Sequence, residues 1–173
     1  MKLNKLALVL GFGLAVAAGS AAANQGSGVV TFEGTIIDAP CSISPSSEKQ
    51  NVPLGSIATS LLNAGGSSTP RPFQLELEQC DIATLKTVTT TFTGVPSPIK
   101  TGSLAINGVG KNAAVVITDV GGNQIKLGEK TAEQTLLVGS NTLRFAAYLQ
   151  GDAANPAVPG KFDAVATFAL TYQ

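Results

Sequence analysis

The sequence predicts an all-β sandwich, and three observations carry that prediction. Residues of alternating character recur at both ends of the chain. Gly28, Val30, Phe32, Gly34 and Ile36 lie near its start, and Phe162, Ala164, Ala166, Phe168, Leu170 and Tyr172 at its finish. Period two is the spacing at which strand side chains share a face. Between these ends, short runs rich in Val, Thr and aromatic residues are cut by Gly- and Asn-containing turns, which is the pattern of a sandwich. The only cysteines, Cys41 and Cys80, sit behind an export signal in a chain without histidine or tryptophan. An even pair in an exported chain reads as a disulfide.

The elements follow in order. Met1 to Lys5 is a short basic start, Leu6 to Ala18 an apolar run, and Ala21-Ala22-Ala23 a small-residue cleavage site. Residues 1–23 are therefore expected to be a secretory signal peptide, cut after Ala23 or, alternatively, after Ala22; the apolar run is shorter than the ~20 residues of a membrane span. The remaining chain, about 150 residues, suits one domain with a real core. Asn24 to Gly28 is small and polar, with nothing to anchor it, and Val29 to Ile37 alternates as a strand. Short strands are expected at Cys41–Ile43 and Val52–Leu54, with one helical turn around Ser56–Leu62. Phe73, Leu75 and Leu77 alternate with Gln74, Glu76 and Glu78 in a half-buried strand running into Cys80. Further strands are expected at Lys86–Thr93, Leu104–Ile106, Ala113–Thr118, Gln124–Leu127, Thr135–Val138 and Leu143–Leu149. A last strand covers Phe162–Tyr172. Gly65–Ser68, Gly94–Pro98, Asn107-Gly108, Gly121–Asn123, Gly139–Asn141 and Asn155–Gly160 carry the turn chemistry that separates them.

Composition excludes several functions. The formal net charge is zero and turns slightly acidic without Lys2 and Lys5. No basic face is evident, so nucleic acid is not an expected partner. Catalysis is not expected either, for want of a histidine base or ligand. Glu76 and Glu78 read as a solvated strand face. Gly108-Val109-Gly110 and Gly121-Gly122-Asn123 lack the lysine and helix start of a phosphate loop, and Asp119, Glu129 and Glu133 match no calcium-loop spacing. No cofactor and no metal are expected.

An alternating arm, Gly28 to Ile37, runs into Asp38-Ala39-Pro40-Cys41-Ser42-Ile43. Cys80 follows a Phe-x-Leu-x-Leu strand, Gly160 stands fourteenth from the end, and Tyr172 is penultimate. In these marks the chain resembles the major pilins of chaperone–usher fimbriae, the type 1 and P pilus family. The resemblance spans everything after the signal peptide. It implies an incomplete immunoglobulin-like β-sandwich that lacks its last strand and is completed by a donor strand from a neighbouring subunit. On that reading residues 24–37 are the donor arm and 38–173 the pilin domain. The arm presents Val30, Phe32, Gly34 and Ile36, with Gly34 leaving room over a shallow part of the acceptor. The groove-edge strand, also read by a periplasmic chaperone, comprises Gly160, Phe162, Phe168, Leu170, Tyr172 and the carboxylate of Gln173.

The implied function is that of a structural subunit of a cell-surface fimbria supporting adhesion. The subunit is exported through the periplasm and passed to an outer-membrane usher. It then joins a head-to-tail polymer of identical or related pilins. A minor adaptor or terminator pilin would carry the same marks, and a soluble secreted glycan-binding sandwich is the other alternative. From the residues alone, Val30–Ile36 reads equally well as the first strand of a self-contained sandwich, Tyr172 as a plain core aromatic, and Gly160 as part of the Pro159-Gly160 turn.

Overall fold

The computed structural model describes residues 27–173. The expected signal peptide and the first residues of the arm, 24–26, lie outside the described residues. Ile36–Gln173 forms one compact unit, and the segment before it belongs to another. In that segment residues 27–35 have no regular secondary structure, and Val30 and Phe32 are 74% and 91% exposed.

The strands of the compact unit, in chain order, are β1 (Ser42–Ile43), β2 (Arg71–Cys80), β3 (Thr87–Gly94), β4 (Leu104–Ala105), β5 (Asn107–Gly108), β6 (Ala113–Thr118), β7 (Gln124–Ile125), β8 (Gln134–Thr135), β9 (Gly139–Gly151), β10 (Phe162–Asp163) and β11 (Ala166–Tyr172). One sheet has the order β1-β2-β9-β6-β4, with β7 also on β6; a second has the order β11-β3-β8; β10 pairs with β5. Every named pairing is antiparallel.

Alternation decides which face is buried. On β2, Leu75 and Leu77 are buried while Gln74 and Glu78 are exposed. On β9, Leu143, Phe145, Ala147 and Leu149 are buried and Thr142 and Arg144 are exposed. β6 is buried at every position, as a central strand covered on both faces must be. Phe73 of β2, Phe92 of β3 and Phe145 of β9 pack with ring centroids 5.1–6.1 Å apart, joining the two sheets through offset and edge-to-face contacts. Cys41 is disulfide-bonded to Cys80, so the start of the first strand is tied to the end of β2.

The structure corrects several expectations. Gly139–Asn141 does not break the chain but opens β9, with Gly139 opposite Cys80. Gly139 has φ +90°, which a glycine adopts without strain. The Asn141 amide closes the turn on its own, accepting from Leu137 N–H at 2.8 Å and donating to Leu137 C=O at 2.7 Å. For the same reason the strand expected at Thr135–Val138 ends at Thr135, and Leu137 and Val138 form the tip. Asn107-Gly108 is not only a turn but pairs with Phe162–Asp163.

The expected strand Phe162–Tyr172 is divided: β10 pairs with β5 and β11 with β3. The change of partner falls at Val165, whose carbonyl oxygen lies 2.8 Å from where a Gly94 Cβ would stand, so the crossing needs glycine there. Val52–Leu54 belongs to no sheet and lies within an extended segment without strand partners. The expected helical turn is α2 (Thr59–Leu62), and α1 (Pro45–Glu48) was not expected. Its signal is local: Pro45 follows Ser44, and proline suits the first helical turn.

Candidate functional site: an open groove beside the last strand

Along β11 one edge is fully used. Its seven residues pair with β3 from Ala166 opposite Gly94 to Tyr172 opposite Val88. The register is closed at the end by Gln173, whose N–H donates to Thr87 C=O and whose carbonyl accepts from Lys86 N–H at 2.7 Å and Thr87 N–H at 2.9 Å. The other edge of β11 has no strand partner among the described residues. Phe168, Leu170 and Tyr172 point inward and pack on the core, yet stay half-buried. Such an edge combines unpaired backbone with incompletely covered apolar side chains.

The gap beside it is a groove of about 740 Å³. One wall carries Phe162, Ala164, Ala166 and Phe168, the opposite wall is the segment Asn51–Ile57, and the floor reaches Leu75, Val115 and Ile117 of the core. Among the described residues Asn51–Ile57 has no backbone–backbone hydrogen-bond partner. It turns Val52, Leu54 and Ile57 partly inward and leaves Asn51, Pro53, Gly55 and Ser56 exposed. The groove thus lies between two extended segments that each lack a partner on its side, and it opens onto residues that a complete sandwich would seal.

The sequence-derived residues fall into three places. Phe162 and Phe168 line one wall of the groove, in two strands rather than one, and Leu170 and Tyr172 continue the core-packed face of β11 beyond that lining. Gly160 also lines the groove but lies outside any strand; a Cβ on it would stand 2.6 Å from Gly110 N and 2.8 Å from the Val109 carbonyl carbon. Close backbone approach to the β5–β6 connection explains this glycine better than a turn does. Gln173 caps the register of β11. Val30, Phe32 and Gly34 lie in the separate segment, and Ile36 at the start of the compact unit is fully exposed. A Cβ on Gly34 would meet nothing within 4 Å. Sequence reasoning missed the wall Asn51–Ile57 as part of the site. Its alternation was legible, but its lack of partners was not.

Two hydroxyls on the groove-side sheet, Thr90 Oγ1 and Tyr172 OH, are buried without a hydrogen-bond partner among the described residues. Burial pushes the Tyr172 phenol above the usual tyrosine range, because the phenolate loses water and gains nothing in return. A folded-state value raised above the unfolded one contributes stability that is complete below pH ~10 and is lost as pH rises through the raised value. Tyr172→Phe should therefore melt like the wild type at pH 8, since no hydrogen bond is lost, and outlast it at pH 11. Equal losses of melting temperature between those pH values in both proteins would show that the phenol does not couple to folding. At the surface, Asp119 and Asp152 are held below the usual carboxylate range, chiefly by hydrogen bonds from the side chains of Asn123 and Asn155.

A sandwich with its core open along one strand-wide gap is the incomplete immunoglobulin-like class of domain. Residues 30–173 match the family described as fimbrial protein. Over the full length of both chains, the sequence is 63% identical to the major MR/P fimbria protein of Proteus mirabilis. Among solved structures it is similar to a chaperone–usher pilus subunit studied for rod uncoiling, at 39% identity and TM-score 0.75 over 86% of this chain and 97% of that one. It is also similar to the P pilus rod subunit PapA, at 36% identity and TM-score 0.70 over 78% of this chain and all of that one. The chain belongs to the fimbrial protein family. It is a structural pilin of a surface fimbria, in a family whose members build polymers of related pilins. The full-length match to a major subunit and the matches to rod subunits disfavour the adaptor, terminator and soluble glycan-binding alternatives. Among the described residues no helix is long and apolar enough to cross a membrane.

Proposed function

We propose that this pilin polymerises by donor-strand exchange, residues 24–37 of one copy filling the groove of the next. The observation that carries the reading is the double pairing deficit: β11 and Asn51–Ile57 both present unpaired backbone to the same gap. A single inserted strand pairs with both and covers the half-buried Phe168, Leu170 and Tyr172, which is recognition by strand addition; chaperone–pilin complementation is itself a standard instance of that mode. Val30, Phe32 and Ile36 supply the apolar face, and Gly34 adds no side chain where the groove is shallow. Before polymerisation a periplasmic chaperone lends a strand to the same groove, reading Gly160 to Gln173 along its edge, and delivers the subunit to an outer-membrane usher. An arm that fills its neighbour's groove makes a head-to-tail contact, and such contacts grow filaments rather than closed rings.

The test is a thermal melt of the oxidised domain, residues 38–173, with and without a peptide spanning residues 24–37. The expected result is a rise in melting temperature that grows with peptide concentration, equivalent to about 2.7 kcal/mol at a hundredfold excess over Kd. A high melting temperature that the peptide does not move would mean a self-contained sandwich and would overturn the reading.

A further inference from the structure

We propose that successive subunits touch through a second, apolar contact besides the arm: the Leu137–Val138 tip of one copy seats against the Val95–Val165 pair of the next. This inference rests on the donor-strand reading above. It begins from the two poles of the sandwich. The chain enters the fold at Pro40–Cys41, where Asp81 N–H donates to Pro40 C=O at 2.8 Å and Cys41 is bonded to Cys80. Cys80 pairs with Gly139, so the residues just before Gly139 flank the root of the arm. Those residues are Leu137 and Val138, 67% and 75% exposed. They are not loose, because the Asn141 side chain holds Leu137 by both its N–H and its C=O.

The opposite pole is where β3 ends and β11 begins. Gly94 faces Ala166 there, and the close approach of the Val165 carbonyl to Gly94 sets Val165 beside the start of the next loop. Val95 and Val165 are 64% and 69% exposed. Both poles thus carry a pair of apolar side chains open to solvent.

In a polar filament the root pole of each subunit must face the far pole of its neighbour, because the arm leaves from one and enters at the other. The arm then runs antiparallel to β11, with its root at the Ala166 end. That placement brings Leu137 and Val138 of the donor over Val95 and Val165 of the acceptor. The occupant of each patch is a second copy of this chain, argued from continuity with the arm's root. Apolar surface at both poles is buried only in the polymer, so the contact stiffens the fibre without being needed for strand insertion.

The test uses full-length polymers carrying Leu137→Ser with Val138→Ser, Val95→Ser with Val165→Ser, or all four changes. All four residues are exposed, and the melting temperature of each monomer checks that folding is intact. The expected result is that every variant still forms fibres, that these are more flexible in electron micrographs, and that they dissociate in mild detergent at least tenfold faster. The quadruple variant should be no worse than either double one, since both remove the same contact. Wild-type flexibility and dissociation in both double variants would overturn the proposal, as would simple additivity in the quadruple one. Failure of the donor-strand reading is distinguishable, because it would appear as fibres that persist when the arm itself is disabled.

Discussion

Phe32→Asp should abolish fibre formation while leaving the melting temperature of the monomer unchanged. Phe32 is 91% exposed in the single chain and Ile36 fully so, so a carboxylate at position 32 costs the monomer nothing. In the groove the situation reverses. Covering Val30, Phe32 and Ile36 contributes roughly 5–8 kcal/mol as an upper estimate, of which the phenyl ring supplies about 2–3. A carboxylate there loses that share and must also shed water over an apolar floor that includes Leu75, Val115 and Ile117. A combined loss of about 4–5 kcal/mol lowers the affinity of the arm by roughly a thousandfold or more. Electron microscopy of surface fibres and detergent-resistant ladders on gels read the result directly, and Phe32→Leu should keep both. Fibres of normal number and length in the aspartate variant would mean that the arm is not what fills the groove.

Replacing both cysteines by serine should cost about 4 kcal/mol. The bond spans 39 residues of sequence, and constraining a loop of that length in the unfolded chain is worth close to that figure in the chain-entropy model. The local structure gives a second reason for a large effect. β1 is two residues long and makes only the pairs Ser42–Glu78 and Ile43–Leu77 with β2. Without the bond to Cys80, the start of the domain keeps only those pairs and the hydrogen bonds of Pro40 with Asp81 and of Ser44 and Ser47 with Glu76, and the groove wall Asn51–Ile57 comes soon after, beyond α1. A domain lacking a strand has little stability in reserve out of the ~5–15 kcal/mol typical of folded proteins. The melting temperature of the reduced or serine form should fall by roughly 10–15 °C. Urea denaturation of the oxidised and double-serine domains measures the difference; a change below about 1 kcal/mol would show that the bond contributes little.

Much of this architecture was legible because period-two patterns carry their own instructions. Leu75 and Leu77 against Gln74 and Glu78 predicted both the strand and its buried face. Ala113–Thr118 was found to the residue, since a short unbroken apolar run suits a strand buried on both sides. Errors gathered where one residue serves two purposes. Gly139 both turns the chain and begins a strand, because its left-handed backbone and the Asn141 clasp complete the turn within the ladder. Phe162–Tyr172 keeps one inward face through Val165 but changes partner there, and alternation carries no information about which strand lies alongside.

The amino-acid order by itself determined the all-β class, the cysteine pair, and the alternating apolar stretches at both ends, through Val30 and Phe32 and through Phe168, Leu170 and Tyr172. Each is a local property, set by residue type and a spacing of two. Only the tertiary structure decided that Asn51–Ile57 faces β11 across an empty gap, that Gly94 and Gly160 are required by backbone passing within 3 Å of a Cβ, and that the Leu137–Val138 tip stands beside the root of the arm. The physical reason is that pairing is a relation between distant segments. A strand's pattern states which face seeks cover, but whether the same chain supplies that cover depends on where all the other strands have gone.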